Sequence, residues 1–72
     1  MPKKHGKVRQ IFVANSKVTI RFEDGSNFYL HNRAGTNFNA KYAIALLQKT
    51  QKQKLIVWHP SDSHDITRVD YS

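Results

Sequence analysis

The stretch KVTIRFEDGSNFYLHN, residues 17–32, limits the possible fold more than any other part of the sequence. Apolar and polar residues alternate along it, with a short polar interruption in the middle. The apolar positions are Val18, Ile20, Phe22, Phe28 and Leu30. A period of two is typical of strands with one buried face and one solvated face. Asp24-Gly25 in the interruption tolerates the positive φ of a tight turn, so the stretch predicts an antiparallel hairpin.

Three further strands are predicted around this hairpin. Residues 7–15, KVRQIFVAN, have apolar positions on both faces, which favours a bent or bulged first strand that ends at a turn at Asn15-Ser16. Residues 55–58, LIVW, are apolar throughout and predict a central strand buried on both faces. A turn over residues 60–63 precedes a last short strand, marked by Ile66, Val69 and Tyr71.

One helix is predicted between the third and fourth strands. Asn39 is the expected N-cap and Asn37 the alternative, because an Asn side chain can accept from the unpaired amides of the first turn. The apolar residues Ala40, Ala43, Ile44 and Leu47 follow the i, i+3, i+4, i+7 pattern of one helix face, widened by Leu46. This pattern predicts that Leu47 is buried between the helix and the sheet.

The order of the elements predicts the fold class. An all-β chain of five strands with one α-helix between strands 3 and 4 has the layout of a small oligonucleotide/oligosaccharide-binding (OB) barrel. We expect residues 1–72 to form a single OB-like barrel domain. Residues 1–6, MPKKHG, are expected to be a flexible basic arm.

Composition limits the classes of function. Seventy-two residues without cysteine exclude disulfides and thiolate metal sites, and a core this small favours self-association. Twelve Lys and Arg against five acidic residues give a formal charge of +7, which favours a polyanionic partner. No segment has the ~20 apolar residues of a membrane span, and no signal peptide is seen. We therefore expect no membrane insertion and a cytoplasmic location, unless a leader was removed.

The segment NFNAKYAIALLQKTQKQKLIVWHPSDSHDITRVDYS, residues 37–72, is similar in layout to the pentameric B subunits of bacterial A–B toxins, above all the pertussis- and subtilase-type subunits. Those chains run from an Asn-rich loop into a short Ala-rich helix, a Gly or Lys turn, an apolar strand and a final strand. The resemblance implies an OB-fold homo-oligomer, a pentamer, that binds glycan or protein. Family members are secreted and usually have a disulfide, and no glycan-pocket motif maps onto this chain. The alternation over residues 17–32 also resembles the small bacterial translation initiation factor, a compact basic barrel.

Ten residues are predicted to bind single-stranded DNA or RNA. Arg21, Tyr29 and His31 lie on the solvated side of the hairpin, where they suit base stacking and phosphate pairing, and strands 2 and 3 carry the usual ligand face of this fold. Two basic clusters are the expected footprint of phosphate contacts: Lys3, Lys4, Lys7, Arg9, Lys49, Lys52 and Lys54. The alternatives are an ordinary solvated face for the hairpin and helix-dipole cations for one or two of the lysines.

Two polar groups near residue 60 suggest chemistry without fitting a known pattern. The first is Ser61, Ser63, His64 and Asp65. These residues are adjacent in sequence, whereas a catalytic triad needs side chains that converge in space. The second, His59 and His64 with Asp62 between them, matches no common zinc spacing. We therefore expect a binding module that is not an enzyme and needs no metal or cofactor. Trp58 is interpreted as a core or edge aromatic, with a base-stacking platform as the alternative.

Overall fold

The computed structural model describes residues 2–14, 16–33 and 37–71. Their elements are β1 (Lys3–Val13), β2 (Lys17–Phe22), β3 (Asn27–His31), α1 (Phe38–Gln51), β4 (Lys54–Trp58) and β5 (Arg68–Tyr71). The strands form one antiparallel sheet in the order β3-β2-β1-β4-β5. A mostly β architecture with its helix between the third and fourth strands is therefore confirmed. No helix in these ranges is long and apolar enough to cross a membrane.

The β2–β3 hairpin follows the alternation of the sequence. Its five apolar residues are at most 4 % exposed and form the centre of the core. Gly25 adopts φ +92°, a conformation that side chains with a Cβ rarely adopt, and its amide donates to the Phe22 carbonyl (3.0 Å). The Asp24 carboxylate accepts from the Ser26 amide (3.0 Å). The predicted hairpin and its Asp-Gly turn are confirmed.

Strand β1 joins the two halves of the sheet. Its second half pairs with β2 and its first half with β4, and a register shift between Val8 and Gln10 marks a bulge. The bulge bends the strand, as the apolar residues on both faces predicted. The flexible arm predicted for residues 1–6 is wrong from Lys3 onward, because Lys3 to Gly6 pair residue by residue with β4. The predicted turn residue Asn15 lies outside the described residues.

The sheet is not closed into a barrel, which corrects the predicted architecture. Among the described residues, one isolated parallel bridge, Tyr29 to Asp65, links edge strand β3 to the segment before edge strand β5. There the Tyr29 amide donates to the His64 carbonyl (2.9 Å) and the Ile66 amide donates to the Tyr29 carbonyl (2.7 Å). Closure needs a continuous ladder between the edges. Strand β5 has four residues and begins at Arg68, after the chain has passed the bridge.

Helix α1 begins earlier than predicted. Its first residue is Phe38, so the predicted cap Asn39 lies inside the first turn, and that prediction is wrong. Asn37, the alternative, occupies the cap position in the left-handed conformation (φ 56°) without a side-chain cap hydrogen bond. Phe38 stacks on Tyr42 with ring centroids 5.7 Å apart, and both pack against the core. At the start of the helix the described contact is thus the stacking of these two rings, where a side-chain cap was predicted.

The side of α1 that faces the sheet also differs from the predicted stripe. Ala45 and Gln48 are its buried residues, at 0 % and 3 % exposed, whereas Leu47 is 49 % exposed. Ala40 and Ala43 face solvent as well, and Leu46 is 40 % exposed. The burial of Leu47 predicted from the sequence is therefore wrong. The helix is rotated so that its continuous apolar stripe points largely away from the core.

The core lies between the inner face of the sheet and α1. It consists of Val8, Val18, Ile20, Phe22, Phe28, Leu30, Ala45, Leu55, Val57 and Ile66. Strand β4 is interior in the sheet, as predicted, but only Leu55 and Val57 are buried. Ile56 and Trp58 point to the opposite face and are half-buried, so the prediction of a strand buried on both faces is wrong for these two residues.

Candidate nucleic-acid interface

Strand pairing determines which side chains share the face of the sheet opposite the core. Residues paired directly across antiparallel strands point to the same side. Trp58 on β4 therefore shares this face with Lys3 on β1 and Arg68 on β5. We call it the outer face, and its members are Lys3, His5, Lys7, Gln10, Phe12, Lys17, Thr19, Arg21, Asn27, Tyr29, His31, Lys54, Ile56, Trp58, Arg68 and Asp70. Six Lys or Arg residues and one Asp belong to this set, so the face is strongly basic.

Trp58 lies between two cations on the outer face. The Arg68 guanidinium is 4.5 Å from the centre of the indole ring, and the Lys3 ammonium is 5.9 Å from it. Both distances are within the ~6 Å range of cation–π attraction. The ring is half-buried and is not part of the core cluster. Trp58 is therefore an aromatic of the outer face, not a core residue.

The hairpin side of the outer face repeats this arrangement. The Arg21 guanidinium lies 5.2 Å from the Phe12 ring, and its Nε donates to Asn27 Oδ1 (3.0 Å). The Lys17 ammonium lies 4.8 Å from the Tyr29 ring. Each aromatic ring on the outer face thus has a cation beside it.

His31 is engaged with the loop that precedes β5. Its Nε2–H donates to the Asp65 carboxylate (2.9 Å), and this hydrogen bond lowers the pKa of Asp65. The contact fixes the His31 ring beside Lys17, its partner across the strands. His31 is therefore placed on the predicted face, where Asp65 holds its ring.

Lys4 is the predicted site residue that points away from the outer face. Its ammonium forms an ion pair with Asp24 and lies 5.8 Å from the centre of the Phe22 ring. The hydrogen bond from the Lys4 ammonium is the main cause of the strongly lowered pKa of Asp24, assisted by hydrogen bonds from Ser26. Lys4 therefore pairs with a carboxylate at the hairpin turn, and it lines a second open pocket together with Lys7.

The remaining predicted cations come together at the end of the helix. Arg9 sits at the bulge of β1, and Lys49 and Lys52 belong to the last turn of α1 and its C-cap. With Lys7 they line one open pocket of about 370 Å³. The structure therefore brings two basic clusters that are 40 residues apart in sequence into one place. The ten predicted residues fall into six on the outer face (Lys3, Lys7, Arg21, Tyr29, His31 and Lys54), three further residues in the pocket, and Lys4.

Four residues of this surface were not predicted as site residues from the sequence or were interpreted differently. Phe12, Lys17 and Arg68 were not predicted as site residues, and Trp58 was interpreted first as a core or edge residue. For Lys17 a signal existed, because it alternates with the buried residues of a predicted strand, whereas Phe12 stands in the apolar run Ile11-Phe12-Val13, which shows no alternation. For Arg68 the signal is the register of β5 against β4, which the sequence alone does not reveal.

The serine and histidine residues near position 60 form a hydrogen-bonded turn. His59 Nδ1–H lies 2.8 Å from the Pro60 carbonyl oxygen and 2.9 Å from that of Ser63, and His64 Nδ1–H donates to the Asn27 carbonyl (2.7 Å). The Asp65 amide donates to Ser63 Oγ (2.9 Å). Within the described ranges, no three His, Asp or Glu side chains are grouped so that they could hold a metal ion. The His64 ring stacks on Phe28 (4.6 Å between centroids), so these residues attach the turn to the hairpin.

The chain has no significant match among protein-family models, curated proteins or solved structures. The resemblance to toxin B subunits therefore stays a prediction.

Proposed function

We propose that the protein is a non-enzymatic module that binds single-stranded nucleic acid along its outer face. One observation carries the proposal: each aromatic ring on that face, Phe12, Tyr29 and Trp58, lies within 6 Å of a Lys or Arg charge. Proteins that bind single strands combine aromatic platforms for the bases with cations along the backbone. A base can stack at each ring while the neighbouring cation meets a phosphate.

The topology supports the same proposal. Strand β1 pairs with both β2 and β4, and a parallel bridge links β3 to the segment before β5. We infer an open variant of the OB fold, a partly open five-stranded architecture that binds oligonucleotides through strands 2 and 3. A cytoplasmic location belongs to this proposal, and a chain without cysteine is compatible with a reducing compartment.

Replacing Trp58 tests the stacking part of the proposal. We expect Trp58→Ala to weaken binding of a fluorescein-labelled single strand of ~10 nucleotides by about 5- to 150-fold, because base–aromatic stacking contributes about 1–3 kcal/mol per base. The matched control is Tyr71→Ala. Tyr71 is 56 % exposed but lies opposite Leu55, on the inner side of the sheet. Fluorescence anisotropy at low salt measures both variants.

Equal affinities for wild type, Trp58→Ala and Tyr71→Ala would contradict base stacking at the outer face. A loss in Tyr71→Ala as large as that in Trp58→Ala would place the strand elsewhere on the molecule. Circular dichroism of each variant controls for loss of structure, so that an unfolded variant is not counted as a binding defect.

The exposed side of α1 favours a second candidate, a homo-oligomer similar to the toxin B subunits that binds glycan or protein. Leu46 and Leu47 are 40 % and 49 % exposed, and Ala40 and Ala43 extend the same uncharged surface. Two copies of a chain of charge +7 repel each other, and contact through an uncharged surface adds the fewest close contacts between like charges. A mass of one chain by light scattering at about 100 µM would exclude this candidate, since association depends on concentration.

A further inference from the structure

The basic pocket at the end of α1 is a distinct feature of the surface. It is open, has a volume of about 370 Å³, and is lined by Lys7, Val8, Arg9, Glu23, Lys49 and Lys52. Four cations and one carboxylate give this lining a formal charge of +3. Its volume lies at the lower end of the ~300–1,000 Å³ that is typical of small-molecule sites. The pocket is therefore large enough for a small anionic group and has the charge to attract one.

Within the described residues, the cations of the pocket form no salt bridge. The ion pairs in that part of the chain are Lys4–Asp24, His31–Asp65 and Arg68–Asp70. Glu23 lines the pocket without pairing with any of the four. Like charges that converge from two elements repel each other, and a bound anion would offset that repulsion.

The helix itself does not require a lysine at position 52. The Gln53 amide donates to the Gln48 carbonyl (2.9 Å) and the Lys52 amide to the Lys49 carbonyl (3.2 Å), so backbone groups already cap the helix end. Lys52 adopts φ 57°, the left-handed conformation in which glycine is usual at this position. A lysine thus occupies a strained backbone position from which its side chain lines the pocket.

We propose that this pocket binds a phosphate monoester, namely the terminal phosphate of a single strand that lies on the outer face. Lys7 belongs to both the outer face and the pocket, so a strand on the face can end there. An internal phosphodiester carries one negative charge, whereas a monoester carries about −1.5 to −2 at pH 7 and gains more from a lining of charge +3. For a strand end, the inference rests on the proposed function. A free nucleotide is the other source of the same chemical group.

Two oligonucleotides of identical sequence test the inference, one with a 5′-phosphate and one with a 5′-hydroxyl, each labelled at the 3′ end. We expect the phosphorylated strand to bind roughly tenfold more tightly at low salt. A second pair of strands, labelled at the 5′ end and carrying either a 3′-phosphate or a 3′-hydroxyl, tests the 3′ end in the same way. Lys52→Gly should reduce the preference roughly fivefold, and Lys49→Gln should act in the same direction. Glu23→Gln should increase the preference, because it removes the one negative charge of the lining.

Lys52→Gly also separates a binding role from a structural one. Glycine suits φ 57°, so this variant should unfold at a higher urea concentration than wild type while it loses the preference. Trp58→Ala should weaken both strands and keep the preference. Equal binding of phosphorylated and unphosphorylated strands at both ends, or an unchanged preference in Lys52→Gly, would overturn the inference and leave the proposed function standing.

Failure of the proposed function gives a different result. If neither strand binds, amide shifts of the pocket residues are followed by NMR during titration with adenosine 5′-monophosphate and with adenosine. Shifts at Lys49 and Lys52 with the monophosphate alone would support the pocket with a free nucleotide as the source. No shifts with either compound would overturn the inference as well.

Discussion

Leu55→Ala is expected to lower the free energy of unfolding by about 2–5 kcal/mol, and Leu47→Ala by less than about 1 kcal/mol. The chemical change is the same, but Leu55 is 0 % exposed in the core, whereas Leu47 is 49 % exposed on the solvent side of α1. A chain of 72 residues has a total stability of about 4–11 kcal/mol, so Leu55→Ala should remove a large part of it. Urea unfolding, followed by Trp58 fluorescence, measures the free energy of unfolding of both variants. The urea midpoint should shift and the m-value should stay unchanged.

Equal losses in the two variants would contradict the rotation of α1 described above. A loss in Leu47→Ala that grows with protein concentration would have another meaning, because it would place Leu47 in an interface between copies of the chain. The pair of variants therefore tests the helix orientation and the oligomer candidate together.

Neutralising three lysines of the outer face is expected to change the salt dependence of oligonucleotide binding. Lys3, Lys7 and Lys54 lie on the paired strands β1 and β4. If each meets one phosphate, the triple Gln variant should lower the log–log salt slope by about 2, since each single-strand contact contributes about −0.7. The affinity should fall more than about tenfold at ~50 mM salt. Removing residues 1–7 would be a poor test, because it would delete strand residues that pair with β4.

Two controls accompany the triple variant. Lys41→Gln removes a cation of α1 that donates to the Thr67 carbonyl (3.1 Å), so the salt slope should stay unchanged. Trp58→Ala should weaken binding without changing the slope, because stacking releases no counterions. An unchanged slope in the triple variant would remove these lysines from the interface.

The hairpin could be predicted from sequence because its information is local. Alternation fixes the buried face of β2 and β3, and Gly25 supplies the conformation that the turn requires. The helix could be predicted as an element but not in its orientation. The helix face that contains Ala43 and Leu47 is more apolar than the opposite face. The face that packs on the core nevertheless contains the aromatic Tyr42 and the polar Gln48. A buried glutamine gives no apolar signal.

Barrel closure and the composition of the outer face depend on distant pairings. The number of strands predicts a barrel, but closure depends on whether the short strand β5 reaches β3. In the described part of the chain β5 pairs only with β4. The two cations that flank Trp58, Lys3 and Arg68, come from opposite ends of the chain. Composition predicts a basic protein, but only the strand register shows which cations lie beside which rings.

Trp58 is the only tryptophan of the chain, so its fluorescence reports directly on the outer face. The most direct measurement is a titration of the wild-type protein with an unlabelled single strand at about 50 mM salt, with emission excited at the indole band. Stacking of a base on Trp58 predicts saturable quenching that is reversed when salt is added. Emission that stays constant up to about 100 µM strand, the weak end of non-specific binding, would contradict nucleic-acid binding at the outer face.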